Sequence, residues 1–178
     1  VGKGDLIRKI SIPRYLTVLS SSASALINFV FNMIVLGIIM AINGVEINTS
    51  LIVFVPFLII QLYALSLAIA FILSAAFVKF RDVSFIWEVF TQMFFYLTPI
   101  LYPISFVLDK YEIGKLLLLN PLAQIIHDLR YILVTPQSQT AWSLLNGYAV
   151  IPVAFTLLLG LISILYFRRE AKYFAENI

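Results

Sequence analysis

The sequence predicts an all-α polytopic membrane protein formed as a single domain over residues 1–178. Long apolar runs at 17–42, 51–78, 84–108 and 149–167 are separated by short polar breaks. Runs of this kind can cross a hydrocarbon core of about 30 Å as helices. Hydrophobic residues make up 62% of the chain and mean hydropathy is +1.02, leaving no long polar stretch for a soluble domain. The charges also sort by side. Lys3, Arg8, Lys9 and Arg14 precede the first run, Lys79 and Arg81 follow the second, and Arg168, Arg169 and Lys172 follow the last. The loop at 43–50 carries no Lys or Arg, so the basic ends and the 78–83 loop are expected in the cytoplasm. Lys110, Lys115 and Arg130 lie in 109–148, which this pattern places outside.

The first crossing carries Ser21, Ser24, Asn28 and Asn32 at offsets of three, four and four, one helical face. Such a stripe reads either as a helix-packing seam or as the polar wall of a conduit. The second crossing has 28 residues, roughly 42 Å of helix, and must tilt or protrude. Lys79, Arg81 and Asp82 then form a compact charged loop that obeys the orientation rule and also suits contact with a cytoplasmic partner.

The third crossing places Glu88 and Gln92 at i and i+4. Glu88 is either an intramembrane functional group or an interfacial partner of Arg81. Farther along, Pro99 and Pro103 interrupt the run. Proline removes a donor and clashes with the preceding turn, so the helix should break there, and a broken helix must face protein or a wet cavity. Phe90, Phe94, Phe95, Tyr96 and Tyr102 surround the break, as an interfacial aromatic belt or as a constriction able to stack on sugar rings.

The stretch 115–134 is apolar but interrupted by Asn120-Pro121, and it carries His127, Asp128 and Arg130. It reads as a re-entrant or surface-lying helix on the outer side. A metal site would need several more ligands than the lone His127 supplies, and none is expected. Absence of cysteine removes disulfides, thiolate catalysis and Cys-based metal sites. No phosphate-cradling glycine loop marks the chain as an ATPase, and nothing points to nucleic acid.

In this order and spacing, DLIRKISIPRYL at 5–16, the VKFRDV loop, QMFFYLTPILYPIS and LNPLAQIIHDLR resemble the membrane permease of a type-2 ATP-binding-cassette exporter. The polysaccharide branch, which exports O-antigen, capsule or teichoic acid chains, is the nearest likeness. The resemblance implies a non-enzymatic subunit of a bacterial or archaeal plasma (inner) membrane. Its implied partners are an ABC ATPase subunit, a second permease copy, membrane lipids and a lipid-linked glycan. ATP and Mg would be bound by the ATPase, with no cofactor on this chain. Family members have six crossings, so the resemblance also implies that an amphipathic helix and two crossings are missing ahead of these four. Asp5, Leu6, Ile7, Arg8, Lys9 and Ile10 would form the helix that docks on the ATPase, with Lys79, Arg81 and Asp82 at the next inner loop. Phe94, Phe95, Tyr96, Pro99, Tyr102 and Pro103 would sit near the outer gate, and Asn120-Pro121 would start the helix that caps it. Three rivals remain: an exporter of drugs or other lipids on the same fold, a membrane lipid or sugar transferase using His127 and Asp128, and a non-catalytic assembly subunit.

Overall fold

The computed structural model of the protein describes residues 14–45, 47–80, 82–102, 104–108, 112–134 and 139–171. Helix α1 spans Arg14–Ile42. A 3₁₀ stretch, Thr49–Phe54, runs into α2, Val55–Lys79. Next come α3, Val83–Leu97, and the short α4, Ser105–Leu108. A second 3₁₀ stretch, Glu112–Leu119, leads to α5, Pro121–Leu133, which is followed by α6, Ala141–Leu144, and α7, Val150–Ala171. No strand occurs among the described residues.

Three helical segments are long and apolar enough to cross a membrane: Tyr15–Ile42, Thr49–Lys79 and Val150–Glu170. The run expected at 84–108 behaves differently. Its helix α3 has only 15 residues, about 22 Å of rise, and stops at Leu97. Thr98 leaves the helix with extended backbone while its N–H still reaches the Phe94 carbonyl at 2.9 Å. The stop falls before Pro99 because a proline disfavours helical backbone in the residue ahead of it. Pro103 lies outside the described residues.

The excess length of the second crossing is used for packing. Its first turns are covered by α5: Leu58 is buried with Ile125, Leu129 and Ile132, and Leu51, Val55 and Leu62 pack around them. Those α5 residues recur at intervals of four and three, one apolar face of a helix. The Asn48 N–H donates to the Ile132 carbonyl at 2.9 Å, fastening the start of the crossing to the end of α5. Pro56 sits in the first turn of α2, where its missing N–H leaves no intrahelical bond unmade.

Helices α2 and α7 form the spine. Near the Lys79 end, Ala75 and Phe167 are buried, and the Phe71 and Phe167 rings meet edge to face at 5.0 Å. Thr156 and Ser163 on α7 are buried and donate back to the carbonyls of Pro152 and Gly160, which satisfies their hydroxyls inside the helix. A third cluster, Ile104, Leu118, Ala141, Leu145 and Ala149, seats the 3₁₀ stretch and α6 beside the start of α7. Asn146 and Gly147 both take positive φ, 47° and 88°, and turn the chain from α6 into α7. Helix α1 stands apart: only 6% of its apolar window is buried, and its side-chain tie to α2 is Ser22 Oγ to Tyr63 Oη at 3.2 Å. A helix so exposed and apolar over most of its surface is solvated by lipid or by another protein surface.

Candidate functional site

The site is built around the end of α3. A helix that stops at membrane depth leaves carbonyls that lipid cannot satisfy. Arg130, on α5, meets two carbonyls of the loop that follows α3: Nη2 donates to the Ile100 carbonyl at 2.6 Å and Nη1 to the Tyr102 carbonyl at 3.1 Å. The planar fork of a guanidinium suits two acceptors side by side, and its positive charge complements the negative end of the α3 dipole. Thr98 and Pro99 are buried under this contact, and Thr98 Oγ1 has no partner.

Helix α5 reaches that position because its start is fixed. Asn120 takes extended backbone, its side chain accepts from the Leu122 N–H at 3.0 Å, and Pro121 opens the helix. An Asn cap followed by Pro at the first helical position is a strong start signal, so the interruption seen in sequence is the boundary between the 3₁₀ stretch and α5. Each polar residue of α5 then engages a different part of the fold. Gln61 Nε2 of α2 donates to Gln124 Oε1 at 3.0 Å, and Gln124 Nε2 donates to Asp128 at 2.7 Å. The second oxygen of Asp128 accepts the Ala141 N–H of α6 at 2.8 Å. His127 Nε2 donates to the Gln139 carbonyl at 2.8 Å.

The relay runs in one sense. Gln124 turns its amide nitrogen toward the Asp128 carboxyl and so accepts from Gln61 through its oxygen, leaving Gln61 Oε1 buried without a partner. Gln124 and Asp128 also border a cleft of about 600 Å³ whose walls include Phe54, Phe57 and Trp142. His127 and Asp128 address different partners, so the two do not act as an acid–base pair. Among the described residues no group of three or more His, Asp or Glu converges on a point that would hold a metal.

The other candidate residues are spread over the molecule. On α3, Phe94, Phe95 and Tyr96 are exposed, with Phe90 and Phe94 rings 5.1 Å apart and Phe95 and Tyr96 rings edge to face at 5.6 Å. Tyr102 is half-buried, its hydroxyl 3.5 Å from the Tyr96 carbonyl. Glu88 and Gln92 are exposed on α3, and Lys79 and Asp82 are exposed just ahead of its start. Ser21 lines a groove of about 610 Å³ between α1 and α2, together with Ser22, Tyr63 and Ser66. Ser24 and Asn32 are exposed and bond within α1, to the carbonyls of Ser20 and Asn28; Asn28 is exposed too. Asp5, Leu6, Ile7, Arg8, Lys9, Ile10 and Arg81 lie outside the described residues.

A model of the ABC-2 type transporter family matches residues 4–134, from ahead of α1 to just past the end of α5. The chain belongs to the ABC-2 type transporter family. The matched span includes the break after α3, Arg130 and the relay. Over 174 residues the chain is 30% identical to the O-antigen export system permease protein RfbA of Myxococcus xanthus, an alignment covering 98% of this chain and 65% of RfbA. The chain therefore spans just under two thirds of the length of that curated relative. No solved structure matches the chain. A chain of this family with three helices of spanning length is a multi-pass membrane protein.

In the sequence Arg130 stands out as an outer basic residue and as a neighbour of His127, whereas Gln61 and Gln124 do not stand out. A signal was present for the two glutamines. Each is an isolated amide within an apolar helical stretch, and such groups in membranes find interhelical partners. The pairing itself spans 63 positions and is invisible to local periodicity.

Proposed function

We propose that the chain is the permease part of an ATP-driven exporter that moves a lipid-linked polysaccharide out of the cytoplasm, working with a second copy of itself and a separate ABC ATPase. The similarity to an O-antigen export permease along 98% of the chain carries the substrate class. The half-length helix α3, with its end roofed by α5, supports an outer gate at Phe94 to Pro103, because backbone that has left the helix within a membrane tolerates a polar cargo. In this reading both ends are on the cytoplasmic side of a bacterial or archaeal plasma membrane. Asp5 to Ile10 docks on the ATPase through Leu6, Ile7 and Ile10, with Lys79, Arg81 and Asp82 beside it. ATP binding to the partner biases a two-state membrane dimer through that contact, by the partner's differential affinity for the two states.

The test is the full-length permease reconstituted with its ATPase in proteoliposomes. Lipid-linked glycan should stimulate ATP hydrolysis and appear on the far side of the bilayer, while unrelated amphipathic drugs should do neither. Stimulation by drugs and not by glycan would transfer the assignment to a drug or lipid exporter. Replacing Leu6 and Ile7 with Asp should abolish export and leave membrane insertion intact, and export at the normal rate would remove the coupling assignment.

A further inference from the structure

The loop after α3 is held to the rest of the protein in an unusual way. Helix α3 buries none of its residues, so packing does little to fix its position. Among the described residues, the side-chain hydrogen bonds that tie 98–102 to another element both come from Arg130. The remaining bonds of that loop are local: Thr98 to Phe94, Ile100 to Thr98, and Tyr102 to Tyr96. Thr98 Oγ1 is fully buried and makes no bond that would anchor it. By contrast Gln124 and Asp128, six and two residues earlier on the same helix, are bonded to α2 and α6. Helix α5 is thus fixed on one side and, on the other, hydrogen-bonds the loop through one side chain, beside the packing that buries Thr98, Pro99 and Ile104.

We propose that Arg130 is a latch: its guanidinium holds the end of α3 closed against α5, and its release lets α3 and the loop move away. The inference rests on the reading of the end of α3 and the loop after it as an outer gate and names the positioning residue that controls it. The acceptors are neutral carbonyls, and this suits a reversible contact. Opening an ion pair would strand a carboxylate, whereas here water can replace the guanidinium at two peptide oxygens and the guanidinium is itself rehydrated.

Residues 1–178 contain no cysteine, so a full-length permease with any other cysteine replaced by serine gives a clean background for a direct test with its ATPase. Thr98→Cys places a reporter at a position that is 0% exposed, and its reaction with a membrane-impermeant maleimide measures opening. The latch predicts that Arg130→Met raises the labelling rate about tenfold or more, the scale of losing two hydrogen bonds to a charged group. Arg130→Lys keeps the charge but cannot span both carbonyls, and should give a rise of about threefold. Ala75→Cys, 1% exposed between α2 and α7, should remain protected from a permeant maleimide in both variants. Labelling of Thr98→Cys in Arg130→Met at the wild-type rate overturns the proposal. If Arg130→Met also exposes Ala75→Cys, Arg130→Lys decides: a severalfold rise with Ala75→Cys protected supports the latch, and any other result there overturns it. The gate reading is scored separately by Thr98→Cys with Arg130 intact, whose labelling must change when cellular ATP is depleted.

Discussion

The side-chain amide of Gln61 on α2 donates to the side-chain carbonyl of Gln124 on α5, 63 positions away, at 3.0 Å. That bond joins the spine of the bundle to the roof over the broken helix, and Asp128 extends it to α6. In a low-dielectric interior such a chain gains strength when complete and is costly when cut.

Gln124→Leu should destabilise the protein by about 1–3 kcal/mol, because it strands the Gln61 amide and removes one donor from Asp128. Gln61→Leu should cost less, since Gln61 Oε1 already lacks a partner. The double variant should fall short of the sum by at least about 0.5 kcal/mol. Denaturation in mixed micelles followed by tryptophan fluorescence measures the cycle, and strict additivity would mean that the two amides are independent.

Asn120→Ala should cost about 1 kcal/mol by removing the cap on the Leu122 N–H, while Asn120→Asp should be nearly neutral. The same denaturation assay separates them. Equal losses would show that the side-chain oxygen is not what matters at this position.

Tyr96 and Tyr102 should behave differently from each other. Tyr96 is 73% exposed and offers a ring face and a hydroxyl beside the break, so Tyr96→Ala should lower glycan-stimulated ATP hydrolysis more than basal hydrolysis. Tyr102 is half-buried with its hydroxyl toward the Tyr96 carbonyl, so Tyr102→Phe should be mild and Tyr102→Ala should lower both activities together. A stimulated-to-basal ratio unchanged in Tyr96→Ala would assign that ring to the membrane interface.

The proposed orientation predicts that single cysteines at Asn48 and Gln137 react with an impermeant maleimide added to whole cells, and that one at Lys172 does not. Its basis is the gathering of basic residues at both ends and in the 78–83 loop. Labelling at Lys172 with protection at the other two reverses the topology.

What was legible in sequence was legible for local reasons. Pro99 stopped α3 and Asn120-Pro121 started α5 through constraints that act within a few residues. The length of the second crossing showed that something must accommodate it, but not that α5 would cover its first turns, because that packing joins residues such as Leu58 and Ile125. The 3₁₀ geometry of Thr49–Phe54 had no signal in an apolar run that suits either helix equally. Arg130 was visible as a charge in an apolar stretch, yet its partners are backbone carbonyls, and backbone acceptors have no residue identity to search for.

The shortness of α3 also bears on the lipid around it. Its rise of about 22 Å falls about 8 Å below the thickness of an ordinary hydrocarbon core. In the proposed membrane placement, acyl chains that touch this helix must shorten or splay to meet its end, which dimples the bilayer locally beside the break. The energy of that dimple increases with chain length, a fraction of a kcal/mol for each ångström of mismatch. Thick membranes thus oppose the arrangement and thin ones favour it, making the host lipid a mechanical load on the transporter.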